Sequence, residues 1–591
     1  MPPAETAKSP HLKKCAFKDE ERKNRLCLAA KEDSLSAFVF LAAAMYLLVV
    51  PETAPAAVVR KVISPFVQQP PAAYYVSPSG NDGNPGTRDL PWATFSHAFK
   101  DVMAAGDTLI LLDGTYREPM GRFFPGQPYN SYSPPSGFSY AYTVIKAEHD
   151  GLAVLEDAGI FLGGPVDGTA RGSSYVQIEG LTLRRGGVRI RHSDHIKLMR
   201  TGVKNGVPID SRYGEVISIS EGSHHVLLED VWVVGTMVYG IIVFESENVI
   251  LRRCVVRFDG NTEREPKSGI AFYGAVGTIA AARASLAQNC VVVDYNANPG
   301  LGAGMQNVHA AEDIKYRGCL ALHIPAVGFL INEDYPARGN DVVNSVVWDV
   351  EDVGIAMRDG HPQGATLIDQ VTVGTTSRGI DQWSGSAGTN VFTTIQNSLF
   401  FHNSGANQGG DFVRYNTYVP GWQAQGTNAS VTDPGFRYIV RSPDAGTGEG
   451  GRIRGATLLK RYGESGTLWG ETGYDALTGE NLWPWPYEDR IHVLFSEPDG
   501  FEYPTADWQG NPYTVVNNPA RGFAAPGQTL TRYVWETLGY PIPGEITGSG
   551  SRKVFRYPGR SLTRTRGSLE RGVFNTQGFR KFSRPRRFKL K

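Results

Sequence analysis

The sequence predicts an all-β chain wound as a single-stranded right-handed parallel β-helix, and three observations carry that prediction. A short phrase, glycine followed by an alternating apolar run and a polar cluster, recurs at Gly187 (GVRIRHSDHIKL), Gly240 (GIIVFESENVIL), Gly269, Gly304, Gly328, Gly354 and Gly379 (GIDQWSG). With a glycine-free copy at Val216 (VISISEGSHHVLL), successive starts lie 29, 24, 29, 35, 24, 26 and 25 residues apart. A second apolar row follows at the same interval: GLTL at 180, DVWV at 230, RCVV at 253, NCVV at 289, GCLA at 318, NSVV at 344 and NSLF at 397. Composition agrees, since 68 Gly and 37 Pro make a turn-rich chain. Period-two alternation reads as a strand with one buried row. Two or three such strands per repeat of about 20–30 residues describe a coil that must stack on its neighbours to bury its apolar face.

Taken in order, residues 1–34 form a basic leader. The apolar run Ala37–Val50 (AFVFLAAAMYLLVV) lies within a targeting segment assigned to 35–57. Fourteen apolar residues fall short of the ~20 that span a bilayer, and Ala54-Pro55-Ala56 offers a cleavage site. A cleaved signal peptide and an uncleaved signal anchor, with membrane anchoring by this segment, both remain open. Either one makes the chain exported: secreted, periplasmic or on the cell surface.

Residues 58–73 read as a linker and 74–440 as the solenoid. Its opening segment is YYVSPSGNDGNPGTRDLPWATFSHAFKDVMAAGDTLILLDGTY, Tyr74 to Tyr116. Phe95, Ala98, Phe99, Val102 and Met103 fall on one helical stripe. A helix there would cap the open first coil, whose unpaired ladder groups invite edge pairing. This segment resembles the start of secreted right-handed β-helix proteins of the pectate-lyase-like superfold, including chondroitinase-B-like polysaccharide lyases. The resemblance implies the fold and a carbohydrate-active role. The Asp cluster with downstream Lys of the chondroitinase-B-like lyases has no counterpart here. The pectinase-like N-T-D, D-D and R-I-K signatures are absent too, apart from an echo in Arg189-Ile190-Arg191.

The excursion 117–142 (REPMGRFFPGQPYNSYSPPSGFSYAY) is long, aromatic and rich in Pro and Gly, and it can wall one side of a groove or pack as a flap. Residues 441–547 read as a small mixed C-terminal module. Its Trp469, Trp483, Trp485, Trp508 and Trp535 are expected to close the C-terminal end of the solenoid. Residues 548–591 read as a disordered basic tail. From 551 on there are fourteen Lys/Arg against the single acid Glu570, so the net charge of zero hides an acidic body. That tail suits an anionic polymer or the cell envelope; no nucleic-acid partner is expected of an exported chain. Cys254, Cys290 and Cys319 occupy one position of three consecutive repeats and are expected to stack as core residues.

Function is expected on one ladder face. Counting from each glycine, the second and fourth positions point outward, and the turn after them adds polar groups. This gathers Tyr273, Gln306, Asn332, Trp383 and Arg191 as sugar-binding candidates, and His361, Arg358, Asp359, His309 and Asp381 as catalytic ones. Aromatic, amide, Arg and carboxylate groups together suit a sugar polymer: stacking, hydroxyl bonding and charge handling. Elimination on a uronate would need a base such as His309, His361, Tyr273 or Lys267 and a neutraliser of the substrate carboxylate, Arg358, Asn332, Gln306 or Ca²⁺ held by Glu333 and Asp334. Hydrolysis would use paired carboxylates one coil apart, Asp359 and Asp381. Asp359-Gly360-His361-Pro362 resembles the acidic-His motif of C5-epimerases. The expected function is binding and cleaving an acidic polysaccharide; the alternative is a non-catalytic surface scaffold or adhesin.

Overall fold

The computed structural model describes residues 71–121, 132–163, 172–206, 215–235, 238–261, 267–274, 282–295, 302–309, 311–333, 339–358, 365–383, 392–405, 412–419, 424–432, 446–498, 514–515 and 519–539. The expectations for the leader, the apolar run Ala37–Val50 and the basic tail fall outside these residues. Among those described, no helix is long and apolar enough to cross a membrane.

The chain is a right-handed parallel β-helix. Its described strands form three long parallel sheets: sheet one with ten strands, sheet two with thirteen and sheet three with twelve. Each coil passes from sheet one through a first turn to sheet two, through a second turn to sheet three, and then back. The repeated phrase supplies sheet one, and the second apolar row supplies sheet three. Inward residues stack by type along the axis. Val233, Val256, Val292, Ala321, Val347 and Val373 form one buried row of sheet three. Each fully buried Val contributes about 1.5–3 kcal/mol, so stacking supplies what no single coil has alone.

The glycine of the phrase has a steric cause. A Cβ on Gly328 would lie 2.5 Å from both the Gly354 carbonyl and Val347 Cγ1, and one on Gly354 would lie 2.5 Å from the Gly379 carbonyl. Sheet one approaches sheet three there too closely for a side chain. Gly328→Ala is therefore expected to cost about 1–3 kcal/mol through overpacking, read as a lowered denaturation midpoint with an unchanged m-value.

Cys254, Cys290 and Cys319 are free thiols inside the core. Their Sγ atoms point at the carbonyls of Leu228, Leu251 and Ala287, as expected of core residues rather than a disulfide framework. Just before each lies a left-handed residue, Arg253, Asn289 and Gly318, and the same turn places Asn344 and Asn397 at φ 50° and 49°. Asn tolerates that region better than most residues.

At the N-terminal end, Phe95–His97 and Ala98–Val102 form two short helical turns started by Thr94, whose hydroxyl accepts from His97 N at 3.1 Å. Phe95, Ala98, Phe99 and Met103 join the solenoid core, whereas Val102 is exposed. The stripe holds at four of its five positions; the π-helical turn rotates Val102 outward.

The C-terminal module lies along the flank of the solenoid, where closure of its end was expected. Trp483, Trp485, Ile491, Phe495, Phe523, Val534 and Trp535 pack on the outward row of sheet three, including Val255, Val291, Leu320 and Val346. The reason is legible in that row: it is apolar on both faces of the strand, so its outer face needs a cover. Arg257, fully buried, pairs with Asp259 (2.8 Å) and donates to the carbonyls of Phe495 (3.0 Å) and Pro519 (2.8 Å). The second-turn asparagines hold the incoming segment. Asn289 accepts from Tyr462 N (2.6 Å), Asn344 from Thr457 N (2.5 Å) and Asn397 from Glu449 N (2.7 Å).

Candidate active site

The expected outward ladder exists. Register pairs Arg189 with Ser218, then Ile242, Ala271, Gln306, Leu330, Ala356 and Asp381 in one continuous row of sheet one. That row is not an open polar groove. Ile242, Ala271, Leu330 and Ala356 are buried, and Gln306 is only 5 % exposed. Asp381 is 2 % exposed and ion-paired with Arg378, which also bonds Asp352 at 2.8 Å. Its carboxylate is held in a buried ion pair rather than on an open face. Asp381→Asn is expected to lower thermal stability while leaving KM and kcat on any substrate within about twofold, because the change removes a buried charge and no reacting group.

Arg358 and Trp383 are backbone partners in sheet one. A register shift after Gln306 pairs Val308 with Glu333, which takes Asn332 out of step with that row. The side chains of Asn332, Glu333, Arg358 and Trp383 lie outside the described residues, as do Asp334, Asp359 and His361. The calcium expectation on Glu333 and Asp334 falls there too. Among the described residues, one trio of ligand-type side chains comes together, Asp113, Glu148 and His149. It is largely exposed, and His149 Nδ1 already sits 3.0 Å from Asp113.

Chemistry concentrates instead one step along the chain, on the first turn. In five consecutive copies, those starting at Gly187, Val216, Gly240, Gly269 and Gly304, the fifth position after the start is His192, Glu221, Glu245, Gly274 and His309, and the four non-glycine residues among them sit at φ 48°, 53°, 49° and 51°. On those four coils a left-handed residue ends the strand and turns its side chain outward at the same place. Backbone bonds lock the coils in step: Glu221 N donates to Phe244 O (3.1 Å), Gly222 N to Glu245 O (2.8 Å) and Glu245 N to Tyr273 O (3.0 Å). Glu221 and Glu245 thus stand one rung apart, about 4.8 Å at the backbone.

Their environments differ. Arg191 Nε lies 2.6 Å from the Glu221 carboxylate, and His192 Nε2 lies 3.3 Å from it. The Glu245 carboxyl is pushed above its ordinary range, first by burial and then by the negative charge of Glu221. On the next rungs Tyr273 and His309 meet edge to face, ring centres 4.8 Å apart. Both were expected at the site, as was Arg191. Glu221 was missed, although the VISISEGSHHVLL copy holds it at the position that yields His192 and Glu245.

Just past this turn, sheet two begins with a polar column. Asp194 and His224 are partners in register, as are His224 and Glu247. Asp194 accepts from Ser174 Oγ (2.6 Å) and contacts His195 Nδ1 (2.8 Å). His224 Nδ1 and His225 Nδ1 are 3.0 Å apart, and burial, followed by His195 and His224, holds the His225 imidazole below its ordinary value. Five of the chain's 12 histidines lie at this corner.

No protein-family model matches the chain. A 46-residue stretch is 46% identical to the uncharacterized protein YwoF of Bacillus subtilis (strain 168), taking in 8% of this chain and 10% of that protein. The chain thus spans about a tenth of the curated relative it matches. Among solved structures it is similar to a rhamnogalacturonan lyase (14% identity, 69% of this chain and 97% of that one, TM-score 0.36). It is also similar to the pectate lyase Pel9A (13% identity, 70% and 90%, TM-score 0.36). A third likeness is to the catalytic unit of an alpha-1,3-glucanase from Streptomyces thermodiastaticus strain HF3-3 (14% identity, 55% and 62%, TM-score 0.34).

Proposed function

We propose that the chain is an exported carbohydrate-active protein that binds an acidic polysaccharide at the first-turn corner and hydrolyses it there. The observation that carries this reading is the pair Glu221 and Glu245: two carboxyls on adjacent rungs, one ion-paired with Arg191 and the other raised by burial and by the charge of its neighbour. Such pairs mark acid and base assignments. Glu245, its carboxyl raised by burial and by the Glu221 charge, donates its proton to the leaving glycosidic oxygen. Glu221, held by Arg191 and His192, attacks the anomeric carbon. Water then releases the sugar, with Glu245 taking the proton back. A one-rung spacing matches the ~5–5.5 Å separation of retaining enzymes, so the product keeps its anomeric configuration. Arg191 supplies positive charge, and the ring nitrogens of His192, His195 and His224 supply hydrogen-bonding groups that suit a uronate or another anionic sugar.

The export part of this reading rests on the apolar run Ala37–Val50. A second reading, a non-catalytic scaffold or adhesin, is favoured by the sealed apolar stretch Ile242–Ala271 and Leu330–Ala356 on sheet one. Incubation with a panel of anionic and neutral polysaccharides decides between them. New reducing ends, lost in Glu245→Gln, support the enzyme; binding without any product supports the scaffold.

A further inference from the structure

On the coils that precede the carboxylate pair, the structure holds aromatic surface that the cleavage chemistry does not use. Phe138 and Tyr140 stack face to face, centres 5.3 Å apart and planes within 4°, yet they are 41% and 69% exposed. Their short turn is closed by Phe138 and Ala141, which exchange backbone bonds of 2.8 and 3.0 Å. It is tied to the start of sheet two by Gly137 N to Ser174 O (2.9 Å) and Ser174 N to Ser136 Oγ (3.0 Å). From there the rings continue along the axis. Tyr142 meets Tyr175 edge-on at 5.6 Å; Tyr175 stacks on His195 at 4.4 Å, and His195 on His225 at 4.9 Å.

Tyr175, His195 and His225 adopt φ of 55°, 52° and 52°. A tyrosine is a poor occupant of that region, and each such residue costs about 1–3 kcal/mol unless its surroundings hold it. The strained backbone lifts these rings out of the strand rows into one partly exposed column. That column lies three or four residues past the first-turn ladder, since His195 follows His192 by three and His225 follows Glu221 by four. Exposed apolar surface rimmed by polar edges marks an interaction site. Flat ring faces edged by imidazole nitrogens and phenol hydroxyls fit the apolar faces and equatorial hydroxyls of pyranose rings.

We infer that Phe138, Tyr140, Tyr175 and His195 form a ledge that binds the non-reacting arm of a polysaccharide whose scissile bond lies at Glu221 and Glu245. The inference rests on the proposed cleavage and names a subsite for the same substrate.

Two measurements test it. In the full chain, Phe138→Ala/Tyr140→Ala is expected to raise KM for a polymer about tenfold, the effect of losing one or two stacking contacts. Its kcat, its KM for a disaccharide-sized substrate and its melting temperature are expected to stay unchanged, and Tyr140→Trp to restore polymer KM. An unchanged polymer KM, or equal loss on long and short substrates, would overturn the ledge and leave the cleavage reading standing. Affinity electrophoresis of Glu245→Gln through polymer-containing gels reads binding without turnover. Retardation lost on adding the two alanines supports the ledge, even where wild-type protein proves not to cleave. Retardation retained, or none with any polymer, overturns it. Tyr140→Ala alone serves if the double variant melts early, because so exposed a ring contributes little to folding.

Discussion

Glu245→Gln and Glu221→Gln are each expected to lower kcat on the cleaved polysaccharide by about 10²–10⁴-fold, the usual contribution of a positioned acid, base or nucleophile. KM should change little. Melting temperature should hold as well, because both side chains are only partly buried and neither fills the core. The pH dependence follows from the surroundings. Burial and the Glu221 charge raise Glu245 above the ordinary carboxyl value, so the acid arm of catalysis persists to higher pH than a free glutamate allows. Activity is lost as pH rises through that value, when Glu245 gives up its proton. In Glu245→Gln this alkaline limb disappears along with most of the rate. A variant that kept full activity, or lost it only by unfolding, would remove the pair from the mechanism.

Glu229→Ala is expected to give the largest loss of stability in the chain, about 3–5 kcal/mol, as for a broken buried ion pair. Glu229 and Arg252 are fully buried and 2.9 Å apart; Arg253 also pairs with Glu229 and, at 2.7 Å, with Asp230. Arg252 donates to Glu464 O (2.6 Å), Tyr474 O (3.1 Å) and Gln288 Oε1 (2.9 Å), while Glu229 accepts from Ser465 Oγ and Gly466 N (2.8 Å). The network therefore pins residues 464–474 to the outer face of sheet two, where Leu468 packs on Leu227, Ile250 and Leu286. Removing Glu229 strips Arg252 of its carboxylate in the interior and leaves Arg253 with Asp230 alone. Glu229→Leu with Arg252→Met should recover part of the loss, since apolar replacements often match a buried pair. Chemical denaturation monitored by tryptophan fluorescence measures both.

The same network predicts acid sensitivity. Burial pushes the Glu229 carboxyl up, but Arg253, Arg252 and the Ser465 and Gly466 bonds outweigh it and leave it below its ordinary 4.5. A carboxyl depressed in the folded state adds stability above its unfolded value and loses it as pH falls through the folded one. Asp294, pushed up by burial but drawn lower by His323 and Tyr533, acts in the same sense. Asp230 opposes them, because burial raises it despite Arg253. Loss of folding is expected below about pH 4.5, and Glu229→Leu/Arg252→Met should flatten that limb.

The strand rows and the thiol stack were legible because each is a repeat, and a repeat is visible without knowing what it packs on. The glycines were visible as a period, although their cause, the approach of Val347 and Val373 from sheet three, is not local. The site was only half legible. Counting alternate positions from Gly269 found Tyr273, and the turn after the Gly304 strand supplied His309. The same count gave Gln306 and Asp381, which point outward but are sealed, because period two reports direction and not depth. Glu221 was hidden by the missing glycine of its copy. The position of the tryptophan module was not legible, because an apolar row in sheet three looks alike whether it faces the core or a flanking segment.

The central claim is tested most directly by the products released from a uronate polymer. The account predicts new reducing ends of retained anomeric configuration, with no rise in the ultraviolet absorbance of an unsaturated uronate, and none of these products from Glu245→Gln. Unsaturated products, with Glu245→Gln still active, would contradict it.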